Sequence, residues 1–455
     1  MSKKPVVSII ISAYNRPQVV TFAIKSVIAS DFDDWELIVV GDGCNAGTEE
    51  AVRAFTDPRI QFHNLPANTG HQSAPHNKGV ELAQGEFVLF LNQDDMYFPD
   101  HISRRVASMR ETGADVSWSP ILLLQRSGLD HGPLDVDRDK LMLDGATADG
   151  NFDPESFVIS SCWAVRREVC DTVGPWLSPS ETRLSPSQEW LHRANELGRR
   201  MAYHPYVSVL CIHSGARRYS YLFPECMEHE RAWSWLTAGP EERLNLMHAV
   251  AVHGAADFVG IRKQLARQQH TVRSWLEGAL QRFGVHPHST QRFFEGTKKG
   301  EWVGRHMPFT SSMPPPLPFA AQTHIGDPTA DAYLGRGWRE GEDTGRWTSG
   351  ATAELFFTIP GAVMSSRPCA LEIFGHPLRD GDAVTFQING EAPITKDVFL
   401  ADEIETIDLP NAAAYRLTLS IEAPTSPFRL GASNDRRILG YRLSWLRLTP
   451  RGGAD

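Results

Sequence analysis

The first 125 residues alternate between two hydrophobic periods. The runs "VVSIIISAY" (6–14), "WELIVV" (35–40), "RIQFHNL" (59–65), "EFVLFLN" (86–92) and "ADVSWSPILLL" (114–124) have the length and β-branched content of strands. Between the first two, "VVTFAIKSVIAS" (19–30) places Val20, Ile24, Val27 and Ile28 at the spacing of one helix face. "TEEAVRAF" (48–55), "APHNKGVELAQG" (74–85, closed by Gly85) and "DHISRRVASMRETG" (100–113) predict three more helices, the last with Ile102, Val106 and Met109 on one face. Strand–helix alternation with nearly continuous apolar strands predicts an α/β domain around a parallel sheet covered on both faces.

The pattern then changes twice. Residues 126–155 are polar and rich in Asp and Gly, which predicts a mobile loop over an active site. Residues 216–306 read mostly as helix, and "SSMPPPLPF" (311–319) reads as an extended Pro-rich linker. Beyond it, "AELFFTI", "ALEIFGH", "AVTFQIN", "YRLTLSIEA" and "YRLSWLRLT" alternate at period two between turn residues, which predicts an antiparallel β-sandwich. The expected organisation is an α/β domain at 1–225, a helical extension at 226–310, a Pro-rich linker at 311–324 and a β-sandwich at 325–450.

Composition narrows the classes. The 455 residues exceed one ordinary core, and 41% hydrophobic with 22% charged content describes a globular chain. A net charge of −10 argues against a general nucleic-acid surface. No apolar run approaches the roughly 20 residues of a membrane span, and polar Ser12 and Asn15 arrive too early for a signal peptide. The six cysteines form no CxxC pair, so they read as reduced thiols of a cytoplasmic protein.

Chemistry concentrates where strands end. The first strand runs into "SAYNRP" with Ser12, Tyr14 and Asn15; the second into "GDG" with Asp42; the fourth into "NQDD" with Asp94 and Asp95. In a parallel sheet these ends share one rim, where ligands of open α/β sheets bind. Adjacent carboxylates repel unless a cation lies between them. That placement favours a metal–nucleotide site over three unrelated turns, with Tyr14 near a base, Asp42 on base or ribose, and Asp94 and Asp95 on a metal at the diphosphate. A dinucleotide is disfavoured because "SAYNRP" has no glycine, and no Walker lysine motif occurs.

The ordered set "VSIIISAYNRP…ELIVVGDGCNAGTEE…NTGHQSAPHNKGVELAQGEFVLFLNQDDMYFPDHI" resembles the nucleotide-diphospho-sugar transferase domain of family 2 glycosyltransferases, inverting enzymes of the GT-A fold, over roughly residues 5–225. The resemblance implies a mixed, Rossmann-like sheet and a nucleotide-diphospho-sugar donor. It implies that Tyr14 and Asp42 hold the base, and that Asp94 and Asp95 contact ribose and Mn²⁺ or Mg²⁺. Asn92 stands where a first aspartate is often found, so Asp95 is expected to carry most of the metal contact. His76 replaces the usual arginine near the diphosphate, with Asn77 or Lys78 as substitutes.

An inverting transfer also needs a carboxylate to take the acceptor's proton. "SPSQEWLHRANELG" resembles the family's second signature, which makes Glu189 the candidate base; the plainer reading is a glutamate at a helix start. Trp163, Arg166 and Trp190 fall where related enzymes line the acceptor side, although a buried strand-to-helix corner fits equally. His213 is a candidate extra metal ligand, against the commoner fate of a hydrogen-bonded core histidine, with Arg217 and Arg218 near the diphosphate. The basic amphipathic stretch 261–284 offers a peripheral contact with the inner face of the plasma membrane, or packs on the catalytic domain. Trp338 and Trp347 of the sandwich suit sugar stacking, core packing or a homo-oligomer contact. The expected activity is transfer of a sugar to a glycan or lipid-linked acceptor in surface polysaccharide biosynthesis. The alternative is an inactive glycan-binding scaffold on the same fold.

Overall fold

The computed structural model describes residues 4–125, 140–147, 149–152, 158–182, 185–216, 219–251, 313–361, 368–379, 382–397 and 404–451. The chain forms two compact units. One comprises Met1–Ser127, Pro133–Ala216 and Pro224–Met307; the other comprises Gly128–Gly132, Arg217–Phe223 and Pro308–Asp455.

The first unit has eleven described strands: β1 (Val7–Ala13), β2 (Trp35–Gly41), β3 (Ile60–Asn64), β4 (Phe87–Asn92), β5 (Met96–Tyr97), β6 (Val116–Trp118), β7 (Ile121–Gln125), β8 (Lys140–Asp144), β9 (Ala164–Arg166), β10 (Met201–Tyr203) and β11 (Val209–Ile212). Its helices are α1 (Pro17–Ile28), α2 (Ala46–Arg53), α3 (Ser73–Leu82), α4 (His101–Thr112), α5 (Arg167–Val173), α6 (Pro186–Glu196) and α7 (Met227–Thr237). The main sheet runs β10-β6-β9-β4-β1-β2-β3. β1 is parallel to β2 and β4, and β2 to β3, whereas β9 is antiparallel to β4 and β6. The sheet is therefore mixed, as the family resemblance implies and the strand–helix pattern alone does not. Every residue of β2 is buried, as expected of a strand covered on both faces.

Local chemistry sets the element ends. Pro17 takes the first position of α1, where its missing N–H costs nothing. The Asn45 side chain caps α2 by accepting from the Thr48 N–H, and Ser185 caps α6 through the Gln188 N–H. Three expectations change. The run 114–124 is two strands in different sheets, because Pro120 between them cannot donate to a ladder. The predicted loop 126–155 contains a strand, β8, antiparallel to β7 in a second sheet of order β5-β11-β7-β8; Leu141 is buried there with Leu122 and Leu124. The helix over 74–85 stops at Leu82; Gly85 is instead a point of close approach, where a Cβ would lie 2.6 Å from the Ser8 nitrogen. Residues 217, 218 and 261–284 lie outside the described residues, so the Arg217–Arg218 and amphipathic-helix expectations do too.

The second unit is wholly antiparallel in its described ladders. One sheet runs β13 (Trp338–Glu342), β14 (Gly345–Thr348), β21 (Tyr441–Pro450), β16 (Cys369–Pro377), β19 (Ile404–Asp408), with β12 (Thr323–His324) also on β21. The other runs β15 (Thr352–Phe357), β20 (Tyr415–Ile421), β17 (Ala383–Ile388), β18 (Ile394–Asp397). Leu371, Ile373, Leu443 and Leu448 of one sheet join Leu355, Phe357, Leu417 and Leu419 of the other in one core, which makes a sandwich. The Trp338 ring packs against that core and its Nε1–H donates to the Glu354 carbonyl, whereas Trp347 and Trp445 lie outside it. All six cysteines are free thiols. Among the described residues, no helix is long and apolar enough to cross a membrane.

Candidate functional site

Parallel register brings the polar strand ends together. Ser12 lies opposite Val40 on one side and Asn92 on the other, and Ala13 lies opposite Gly41, so the exits of β1, β2 and β4 are neighbours on one rim. Tyr14 is half-buried and its N–H donates to Gln93 Oε1 at 2.9 Å, which ties the first exit to the fourth. Asn15 adopts a left-handed backbone (φ 40°), a conformation its short polar side chain tolerates, and its Oδ1 accepts from the Asn45 N–H at 2.8 Å. Asp42 is buried, and its carboxylate accepts from the Thr69 N–H (3.0 Å), the Thr69 hydroxyl (2.7 Å) and the Gly70 N–H (3.1 Å). It thereby fixes the loop that continues into α3.

The two aspartates have opposite environments. Asp94 is 21% exposed; its Oδ2 receives Arg16 Nη1 at 3.1 Å and the Ser214 hydroxyl at 3.2 Å. Arg16 is fully buried and its Nη2 donates to the same Ser214 oxygen at 2.7 Å, closing a triangle. The cation that an aspartate pair calls for is thus supplied in part by the chain. Asp94 Oδ1 carries no hydrogen bond among the described residues. Asp95 points inward: Ser161 Oγ donates at 2.5 Å, Asn92 Nδ2 at 2.9 Å, and the Ile212 N–H at 3.2 Å. Burial first, and the Asp94 charge second, push the Asp95 carboxyl up to about 7.

His213 follows β11 at the same rim and is half-buried. Burial holds its pKa below the usual imidazole value, against the pull of the Asp94 and Asp144 charges. Among the described residues no three His, Cys, Asp or Glu side chains gather closely enough to cage a metal. The donor set still fits a hard divalent cation, since Mg²⁺-type sites use one or two carboxylates with substrate phosphates and water.

Glu189 sits in the first turn of α6, as the plainer reading of a helix-start glutamate has it, its carboxylate gripped by Arg193 through Nε (3.0 Å) and Nη2 (2.8 Å). Arg193 is itself held by the carbonyls of Val173 (2.5 Å) and Pro175 (2.9 Å). The neighbouring Gln188 is buried, and its Oε1 accepts from the Val158 N–H at 3.2 Å, on the segment that leads to Ser161 and so to Asp95.

Several candidates lie elsewhere. Asn77 spends both amide atoms on the Trp176 backbone, and Lys78 forms an outward pair with Glu81. His76 is buried beside Phe90 and Trp176 and cannot stand in for a charged arginine, because burial lowers its pKa to about 3. Trp163 and Trp190 stack on one another inside the core. Arg166 pairs in register with Phe87, at the start of β4 rather than its end. Sequence reasoning passed over Arg16, Gln93 and Ser214. Arg16 carried a signal: it stands as N-cap of α1, at the positive end of a helix dipole, where a cation calls for an anion nearby.

Residues 8–174 match the family described as "Glycosyl transferase family 2". WcaA of Escherichia coli (strain K12), named for colanic acid biosynthesis glycosyl transfer, is 37% identical over 106 residues, covering 23% of this chain and 37% of its own. WfgD of Escherichia coli, a "UDP-Glc:alpha-D-GlcNAc-diphosphoundecaprenol beta-1,3-glucosyltransferase", is 30% identical over 103 residues, covering 23% and 40%. The chain thus spans well under half the length of either relative. A crystal structure of S. aureus TarS 1-349 superposes with a TM-score of 0.38 at 18% identity, over 54% of this chain and 79% of that one; a likeness at that level carries no argument.

Proposed function

Since residues 8–174 form a glycosyltransferase family 2 domain, we propose that this chain is a metal-dependent inverting glycosyltransferase, moving a sugar from a nucleotide-diphospho-sugar to a glycan or lipid-linked acceptor in surface polysaccharide biosynthesis. The observation that carries the reading is the shared rim, where the partly exposed Asp94 carboxylate follows β4 beside the exits of β1 and β2. The colanic acid and diphosphoundecaprenol names of the relatives support the pathway and the acceptor class.

In this reading the nucleoside lies along Ser12, Tyr14 and Asn15, with the Asp42-anchored loop at 68–70 closing on the base. Asp94 and His213 would hold Mn²⁺ or Mg²⁺, which when bound offsets charge on the leaving diphosphate. Asp95 locks the strand exit to Ser161 and Ile212, so the metal contact shifts from the expected Asp95 to Asp94. Glu189 takes the proton of the acceptor hydroxyl as its oxygen bonds to the anomeric carbon. The bond to the diphosphate oxygen breaks, and its electron pair leaves with the nucleotide. Arg193 fixes the direction of the Glu189 carboxylate before the acceptor arrives.

A thermal-shift screen of UDP-, GDP-, CMP- and dTDP-sugars with and without Mn²⁺ tests this. A ligand at 100 times its dissociation constant adds roughly 2.7 kcal/mol of stability. One nucleotide class should stabilise the protein, and more so with Mn²⁺. No shift with any donor would sink the reading.

A further inference from the structure

Arg105 of α4 is buried without exposure and has one hydrogen bond, from Nη1 to Ser117 Oγ at 3.2 Å. Its Nε and Nη2 have no partner among the described residues. Burial pulls its pKa down only to about 10, so it is charged at neutral pH. A buried charge of this kind needs a counter-charge. Among the described residues, the groups beside it do not provide one. Burial pushes the Cys162 thiol up to about 12 and the Tyr97 phenol well above its ordinary value, which leaves both neutral.

Two more polar atoms close by are buried and unpartnered. Ser119 lies two residues beyond Ser117, its backbone N–H on the Cys162 sulfur that senses Arg105, and its hydroxyl has no partner. His101 lies one helical turn before Arg105; its Nδ1 meets Ser208 Oγ at 2.8 Å, and its Nε2 has no partner. Burial and the Arg105 charge hold this imidazole neutral. Guanidinium N–H and hydroxyl are donors without an acceptor, and the imidazole joins them in the tautomer that carries its proton on Nε2 and accepts from Ser208 at Nδ1.

We propose that Arg105, Ser119 and His101 hold a small monovalent anion of halide size in the interior of the first unit, between α4 and the end of β6. The site uses no residue assigned to transfer. Its occupant neutralises the guanidinium and accepts the three idle donors.

Bromide is the probe. Crystals of the full chain grown in sodium bromide should show one anomalous peak in contact with the Arg105 guanidinium and Ser119 Oγ. The wild-type melting temperature should rise with bromide at constant ionic strength set by fluoride. Ser119→Ala should lower the peak height, and Arg105→Gln should abolish both peak and bromide response. A wild-type site filled by water, with no anomalous signal, overturns the proposal. So does a peak that persists in Arg105→Gln, since the ion is then adventitious. If Arg105→Gln fails to fold, the wild-type peak and the Ser119→Ala comparison still decide.

Discussion

The two units put their polar residues in different places. In the first, β1, β2 and β4 are buried along both faces, and apart from the Ser8–Glu36 pair near the strand starts polarity appears where the strands stop. In the second, buried and partly exposed residues alternate along β16, β17 and β20, so polarity runs along the outer faces. Doubly covered parallel strands leave only their ends for a ligand, whereas a sandwich leaves flat faces. On the outer face of the β16–β21 sheet, Phe374 stacks on Trp445 and Glu372 pairs with Arg447 at 2.6 Å. In the proposed reading, chemistry belongs to the rim and the sandwich offers contact area.

The sharpest test of this contrast is Glu189→Gln, which keeps shape but cannot take a proton at neutral pH. Transfer should fall by about 10²–10⁴-fold with donor binding unchanged, because a base acts only as the hydroxyl attacks. Near-normal transfer would return Glu189 to its structural part as partner of Arg193.

Next in size is Trp163→Ala, in the aromatic core behind the rim, which should cost about 3–5 kcal/mol in chemical denaturation. A loss below 1 kcal/mol would mean the first unit's interior tolerates a large cavity.

The aspartate pair should split. Asp94→Ala should remove the Mn²⁺ dependence of donor binding with the fold intact, read by titration calorimetry. Asp95→Ala should instead destabilise by about 1–3 kcal/mol, since it strands the donors of Ser161, Asn92 and Ile212. The reverse pattern would restore Asp95 as the metal ligand. The sign of the pH effect follows from its raised pKa. The folded state holds the Asp95 proton more tightly than the unfolded chain does. This contribution is therefore present below the ordinary carboxylate range and is lost as pH rises towards about 7. Denaturation midpoints of the ligand-free protein should carry that slope, and Asp95→Asn should flatten it.

The smallest effect is expected on the sandwich. Arg447→Ala removes a partly exposed ion pair and should change stability by at most about 1 kcal/mol, leaving donor binding untouched. A loss of donor affinity would break the division of labour between the two units.

Sequence alone made the rim legible, because parallel strands announce their polar ends and register does the rest. It could not tell Asp94 from Asp95. The residues that turn Asp95 inward, Ser161 and Ile212, lie 66 and 117 positions away. Short strands also escaped: β9 has three residues, too few for a period, yet it is the one that makes the main sheet mixed. Pro120 was a visible break whose meaning, a change of sheet, needed the partner strands. In the sandwich the five alternating runs became β15, β16, β17, β20 and β21, while the shorter β13, β14, β18 and β19 gave no period to read.

The Arg16–Asp94–Ser214 triangle has a consequence for the order of events. A rim that already balances its own charge has little to gain from a lone cation, which must compete with a guanidinium for the same carboxylate. A diphosphate arriving with its cation changes the exchange, because its oxygens offer Arg16 a new anion as Asp94 is drawn away. In the proposed reading, metal and donor are then taken up as one ion pair. Titration of Mn²⁺ alone should accordingly show weak uptake that tightens once a nucleoside diphosphate is present.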